Sequence, residues 1–102
     1  MTLPVVSLDL VDEIAAAIRV KITEYSILEI TSLIQAGAAD LSRQGVDIID
    51  LDDPLTKQAI KLYCKAHYGY DQNVERFLMA YEALSAGMSL SGDYDKGGDT
   101  GE

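Results

Sequence analysis

The sequence predicts an all-α fold, a small four-helix bundle, and three observations carry that expectation. Apolar residues recur at helical spacing in four separate segments when the chain is laid out at 100° per residue. Each segment opens beside a residue suited to a helix N-terminus: Ser7, Thr23, Asp53 and Asp71. The chain has 102 residues, 48% apolar and 25% charged, enough for one domain with a single modest core.

The first helix is expected from about Leu8 to Arg19, with Leu8, Val11, Ile14, Ala15 and Ile18 on one side. Ser7 can cap it, and Asp9 and Asp12 suit its positive end. The piece "VKIT" that follows alternates apolar and polar residues and reads as an extended connector. The second helix spans about Glu24 to Arg43, capped by Thr23, with an apolar stripe of Ile27, Ile30, Ile34, Ala38 and Leu41. Within it "AGAA", residues 36–39, removes side-chain bulk where another helix can approach. Gly37 costs roughly 1 kcal/mol of helix propensity relative to alanine, which implies compensation from packing. Gly45 is the expected stop.

The third helix has the clearest start. Asp53 can accept orphan N–H groups, and Pro54 fits the first helical position because the N–H it lacks has no partner there. It should end near Tyr68, with Gly69 as the break. Asp71 then caps a fourth helix with Val74, Phe77, Leu78, Tyr81, Leu84 and Met88 on one face. After Leu90 the composition changes: "SGDYDKGGDTGE" holds four glycines, four acids and one tyrosine. Such a segment cannot offset the entropy of ordering, so residues 1–90 are expected to form the helical domain and 91–102 a flexible acidic tail.

Charge narrows the function. Seventeen acidic side chains against eight basic ones give a net −9, a surface that repels phosphate backbones and anionic membranes and keeps a monomer soluble. One cysteine cannot form an internal disulfide. The opening "MTLPVVSLDL" lacks a basic leader region, and the charge-free run from Ile30 to Ala39 is too short to span a bilayer. A cytoplasmic site of synthesis is therefore expected. No internal repeat is evident at a period of about 20–50 residues.

Two concentrations of chemistry stand out. Cys64 and His67, the only cysteine and histidine, lie three apart on the third helix. A zinc site needs a second such pair, and a catalytic thiol needs a base and an oxyanion stabiliser, so no catalytic, metal or cofactor residue is assigned. On a helical wheel from Leu55, the residues Ala59, Leu62 and Ala66 fall within about 40° and define the expected inward face. Ile60, Tyr63, Cys64 and His67 cover the adjoining sector, and Lys57, Lys61 and Lys65 the remaining flank. A helix apolar over half its circumference is either central to a bundle or offers a second face to a partner. The lysines read as a solvated face or a surface for an acidic neighbour. The second concentration is "GVDIIDLDDP", residues 45–54. Asp47, Asp50, Asp52 and Asp53 lack the glycine and distal glutamate of a calcium loop. Interleaved with Val46, Ile48, Ile49 and Leu51, they make an extended acidic loop suited to packing beside a neighbouring chain.

The run "DPLTKQAIKLYCKAHYG", an acidic break, and then "ERFLMAYEALSAGMSLSGDY" resembles the head–tail connector family of long-tailed bacteriophages, the head-completion adaptors. The likeness covers about residues 7–94, is strongest over Asp53–Tyr94, and departs most from the family pattern in the N-terminal half. It rests on order and spacing: His67, Tyr68 and Gly69 closing the third helix, then Glu75, Arg76, Phe77, Tyr81, Glu82, Leu84 and Leu90–Tyr94. The resemblance implies a non-enzymatic virion protein that docks as a ring, typically twelve-fold, under the portal protein after packaging. The ring would extend the DNA tunnel and offer a platform to a stopper or tail-completion protein. Double-stranded DNA would pass through without sequence-specific binding, and assembly would occur in the host cytoplasm. Composition and exposure, not a family motif, place portal binding on the tail from Ser91, Gly92, Asp93, Tyr94, Asp95 and Lys96. The same reasoning places subunit contacts on Val46, Ile48, Ile49, Leu51, Ile60, Tyr63, Cys64 and His67. The rival readings are a small acidic regulatory or scaffolding adaptor binding one partner through the third helix, and a thiol enzyme using Cys64.

Overall fold

A computed structural model describes residues 5–68 and 73–94. Four α-helices follow one another in the chain: α1 (Leu8–Ile18), α2 (Glu24–Arg43), α3 (Pro54–His67) and α4 (Val74–Leu90), and a short 3-10 turn, Gly92–Tyr94, closes the described part. Among the described residues there is no strand, and no helix is long and apolar enough to cross a membrane. The all-α four-helix bundle expected from the sequence is the fold observed.

The helix starts follow local chemistry. Ser7 Oγ accepts the Leu10 N–H at 3.1 Å, and Thr23 Oγ1 accepts the Ser26 N–H at 3.0 Å while Ser26 Oγ accepts the Thr23 N–H at 2.7 Å. That reciprocal pair satisfies two orphan donors at the head of α2. Asp53 accepts the Thr56 N–H at 3.0 Å with Pro54 at the first position of α3, as expected. The stops are equally local. Arg19 ends α1 in the left-handed region at φ 60°, and Gly45 follows α2 at φ 103°. Beyond α2, Gly45 N–H donates to Ser42 O and Val46 N–H to Leu41 O, the double bond pattern of a Schellman motif. The start of α4 differs from expectation: its N-cap position is Asn73, and both Asp71 and the Gly69 break lie outside the described residues.

Helix α3 is the centre of the molecule and packs against α1, α2 and α4. Its buried residues are Thr56, Ala59, Ile60, Cys64 and Ala66. Of the expected inward face, Ala59 and Ala66 are buried and Leu62 packs against the core, but the buried face is wider than expected and takes in Ile60 and Cys64, while Leu55 is 47% exposed. Leu55 lies in the first turn of the helix, ahead of most of the α3 residues that reach the core. A similar shift occurs in α1, where Leu10 is buried and Leu8 is 67% exposed. Ile14, Ile30, Ile34, Leu41 and Ile60 form the fully buried centre.

The close approach expected at residues 36–39 is present. A Cβ added at Gly37 would stand 3.0 Å from Ile60 Cδ1 and 3.1 Å from Tyr63 Cδ1, so the missing side chain is what lets α3 lie against α2. The lysine flank is partly covered by the chain itself: Lys57 pairs with Glu13 of α1 at 3.6 Å, and Lys65 lies 5.3 Å from the Phe77 ring centre of α4.

Candidate functional site

Cys64 and His67 are not brought together as a reactive pair. Cys64 is fully buried, and that burial pushes its thiol up to about 12. His67 is exposed, its ring 4.1 Å from that of Tyr63, which in turn meets Tyr81 edge-on at 5.4 Å. Among the described residues no group of three or more His, Cys, Asp or Glu side chains is placed to hold a metal. A thiol with a pKa near 12 carries about a thousand times less thiolate at pH 8 than an ordinary cysteine. Iodoacetamide labelling at pH 8, followed by mass spectrometry, should therefore be at least about a thousand-fold slower in the folded chain than in urea. Comparable rates would reveal an accessible thiolate and revive a thiol chemistry.

A polar cluster joins α2 to α4. Tyr81 donates to Asp40 Oδ2, Gln44 Nε2 donates to the same oxygen at 2.7 Å, Arg43 reaches Oδ1, and Ser85 Oγ donates to Gln44 Oε1 at 2.8 Å. Burial acts to raise the Asp40 pKa, but the bonds from Tyr81, Arg43 and Gln44 outweigh it and hold the carboxyl below its ordinary value. Burial, and then the bond to Asp40, push the Tyr81 hydroxyl up. A cleft of about 230 Å³ opens beside the cluster, with Tyr63, His67 and Glu82 on its walls. Asp40 already accepts three donors, so it is poorly placed to act as a general base. The arrangement is a clamp that fixes α4, whose buried residues number only Tyr81, Ser85 and Met88.

The third feature is the end of the bundle where the C-terminus of α2, the N-terminus of α3 and the end of α4 meet. Residues 46–50 have no regular structure, and Asp50 Oδ1 accepts the Asp52 N–H at 2.9 Å to turn the chain into α3. Onto this loop folds the segment after α4. Tyr94 O accepts the N–H of Asp47 at 2.9 Å and of Ile48 at 3.1 Å, and Tyr94 Oη donates to Asp53 Oδ2 at 2.7 Å. The bond from Tyr94, with those from Thr56, holds the Asp53 carboxyl below its ordinary value, and the same bond pushes Tyr94 up to about 12.

These positions revise the expected contact residues. Val46, Ile60 and Cys64 are fully buried within the chain and cannot touch a neighbour. Val46 follows Gly45 and folds back under the Schellman turn, while Ile60 and Cys64 face inward because α3 is central. Ile48 is 43% exposed, Ile49, Leu51 and Tyr63 are half-buried, and His67 is exposed, so these five remain at the surface. On the expected tail, Ser91–Tyr94 form a hydrogen-bonded turn in which Gly92 and Asp93 are exposed and Tyr94 packs against the core; Asp95 and Lys96 lie outside the described residues. The Asp40–Tyr81 and Asp53–Tyr94 pairs had no local signal, since each joins residues 41 apart in sequence. Comparison with protein-family models, with curated proteins and with solved structures finds no match.

Proposed function

We propose that this chain is a structural head–tail connector of a long-tailed bacteriophage. It docks as a ring under the portal protein, lengthens the DNA tunnel and presents a platform to the stopper or tail. The observation that carries the reading is the ordered resemblance over Asp53–Tyr94, ending in "LSGDY". Those residues fall on α3, α4 and the short turn after them, and α3 and α4 pack against each other, so the stretch that carries the likeness is largely one structural unit. The net charge of −9 supports a passive conduit, because an acidic wall repels the duplex instead of gripping it. Basic residues facing the tunnel would remove that part of the proposal.

The regulatory-adaptor reading is the weaker one. It needs α3 to offer an apolar face to a partner, yet Ile60 and Cys64 are fully buried inside the chain. Light scattering on a size-exclusion column separates the two. The chain is run alone and after mixing with purified portal rings, as the full chain and with residues 95–102 removed. A connector joins the portal as a ring, and removing 95–102 should weaken that joining while leaving the hydrogen-bonded Ser91–Tyr94 turn in place. A small oligomer indifferent to portals would defeat the proposal.

A further inference from the structure

We propose that Tyr94 is a latch that holds the 45–53 loop shut until a partner takes the segment after α4, and that release frees the loop to contact a second copy of the chain. The inference rests on the connector reading for the meaning of the two segments. Its physical basis is independent of that reading. Three hydrogen bonds cross from Tyr94 to the loop: its carbonyl accepts from Asp47 and Ile48, and its hydroxyl donates to Asp53. Asp53 Oδ2 also accepts the Thr56 N–H at 3.0 Å and Thr56 Oγ1 at 3.2 Å, so one oxygen serves both the latch and the cap of α3. What happens at Tyr94 is thereby felt at the first turn of the central helix.

Electrostatics opposes the closed state. The loop carries Asp47, Asp50, Asp52 and Asp53, the turn carries Asp93, and neither segment holds a basic residue. Like charges push the two apart, and the Tyr94 bonds hold them together against that push. A loop held in this way opens readily once its fastening is removed. Opening would strip the Asp47 and Ile48 N–H groups of their acceptor and release Ile49 and Leu51, which now pack partly buried against the core, beside the already exposed Ile48. A freed loop of alternating acids and aliphatics has exposed backbone donors and apolar side chains to offer a neighbour. Capture of the turn by one partner and exposure of the loop to the next subunit are then a single event. Ring formation would be confined to the docked state.

The test uses the isolated full-length chain beside Tyr94→Phe and Tyr94→Ala. Amide exchange is read at Asp47, Ile48 and Thr56, and mass by light scattering. Losing the hydroxyl bond alone should speed exchange at Asp47 and Ile48 by about two- to tenfold, from the usual worth of one hydrogen bond. Tyr94→Ala should bring both amides close to unprotected rates and also speed Thr56. Raising salt should slow exchange in the wild-type loop, because screening relieves the repulsion. Tyr94→Ala should self-associate at concentrations where the wild-type chain is monomeric, and adding Ile48→Asp should abolish that association. Two results would overturn the latch: wild-type amides at 47 and 48 already unprotected, or a Tyr94→Ala chain with a freed loop that stays as monomeric as wild type. Failure to join portal rings in the mixing experiment would sink the connector reading and leave these exchange results standing.

Discussion

Gly37→Leu is expected to destabilise the fold by about 3 kcal/mol or more, a large part of what a domain of this size has. The reason lies in the contact between α2 and α3. A single Cβ at position 37 would already sit 3.0 Å from Ile60 Cδ1, 3.1 Å from Tyr63 Cδ1 and 3.3 Å from Tyr63 Cγ. Ile60 is fully buried and has nowhere open to withdraw, and the Tyr63 Cγ atom sits at the root of its ring. Leucine's three further carbons must drive the helices apart. Gly37→Ala is the calibrating variant. It gains about 1 kcal/mol of helix propensity, offset by the shift its neighbours must make, and should land within about 1 kcal/mol of wild type. Ile60→Val removes the Cδ1 atom that the alanine methyl would meet. The pair should therefore couple favourably by about 1 kcal/mol in a double-mutant cycle measured by urea denaturation. A Gly37→Leu chain with an unchanged midpoint would mean that α3 does not lie against α2 at this point.

The same position shows what a sequence can reveal. The small-residue run at 36–39 gives away a close approach, and caps at Ser7, Thr23 and Asp53 give away three helix starts, because each effect is completed within a few residues. Gly45 gives away the end of α2 for the same reason. The orientation of α3 is a different kind of fact. Its wheel carries apolar residues over half the circumference, so periodicity alone allows more than one inward face. The choice falls to the other three helices, which turn Ile60 and Cys64 inward and leave Leu55 at the surface. The candidate site is less legible still. Its fastenings join residues about forty apart, Asp53 to Tyr94 and Asp40 to Tyr81, and no local pattern reports such a partnership. The Gly- and acid-rich composition after Leu90 predicts a flexible tail. One tyrosine with three hydrogen bonds is enough to fasten the beginning of that segment to the domain.

Tyr81→Ala should cost about 4 kcal/mol, and Tyr81→Phe about 2 kcal/mol at pH 7. The alanine variant loses a ring that is 3% exposed and its edge-on contact with Tyr63, and leaves a cavity between α3 and α4. The phenylalanine variant keeps the ring and removes only the hydroxyl that donates to Asp40, a bond to a charged acceptor. Acid separates the two effects. The Asp40 carboxyl is held below its ordinary value of 3.8 in the folded chain, because the hydrogen bonds outweigh the opposing effect of burial. A group with a depressed folded pKa contributes stability that is fully present above its unfolded pKa and is lost as pH falls through the folded one. Without the Tyr81 hydroxyl, burial weighs more heavily and the folded pKa moves up, so the contribution shrinks. The gap between wild type and Tyr81→Phe should therefore be widest near neutrality and narrow as pH drops below about 4. The cavity cost of Tyr81→Ala does not titrate, so a substantial gap between it and Tyr81→Phe should survive across the same range. Urea midpoints from pH 7 down to about pH 3 would read both trends. A Tyr81→Phe cost independent of pH would show that the hydroxyl does not serve the Asp40 carboxylate, and that apolar contact with α3 is what holds α4.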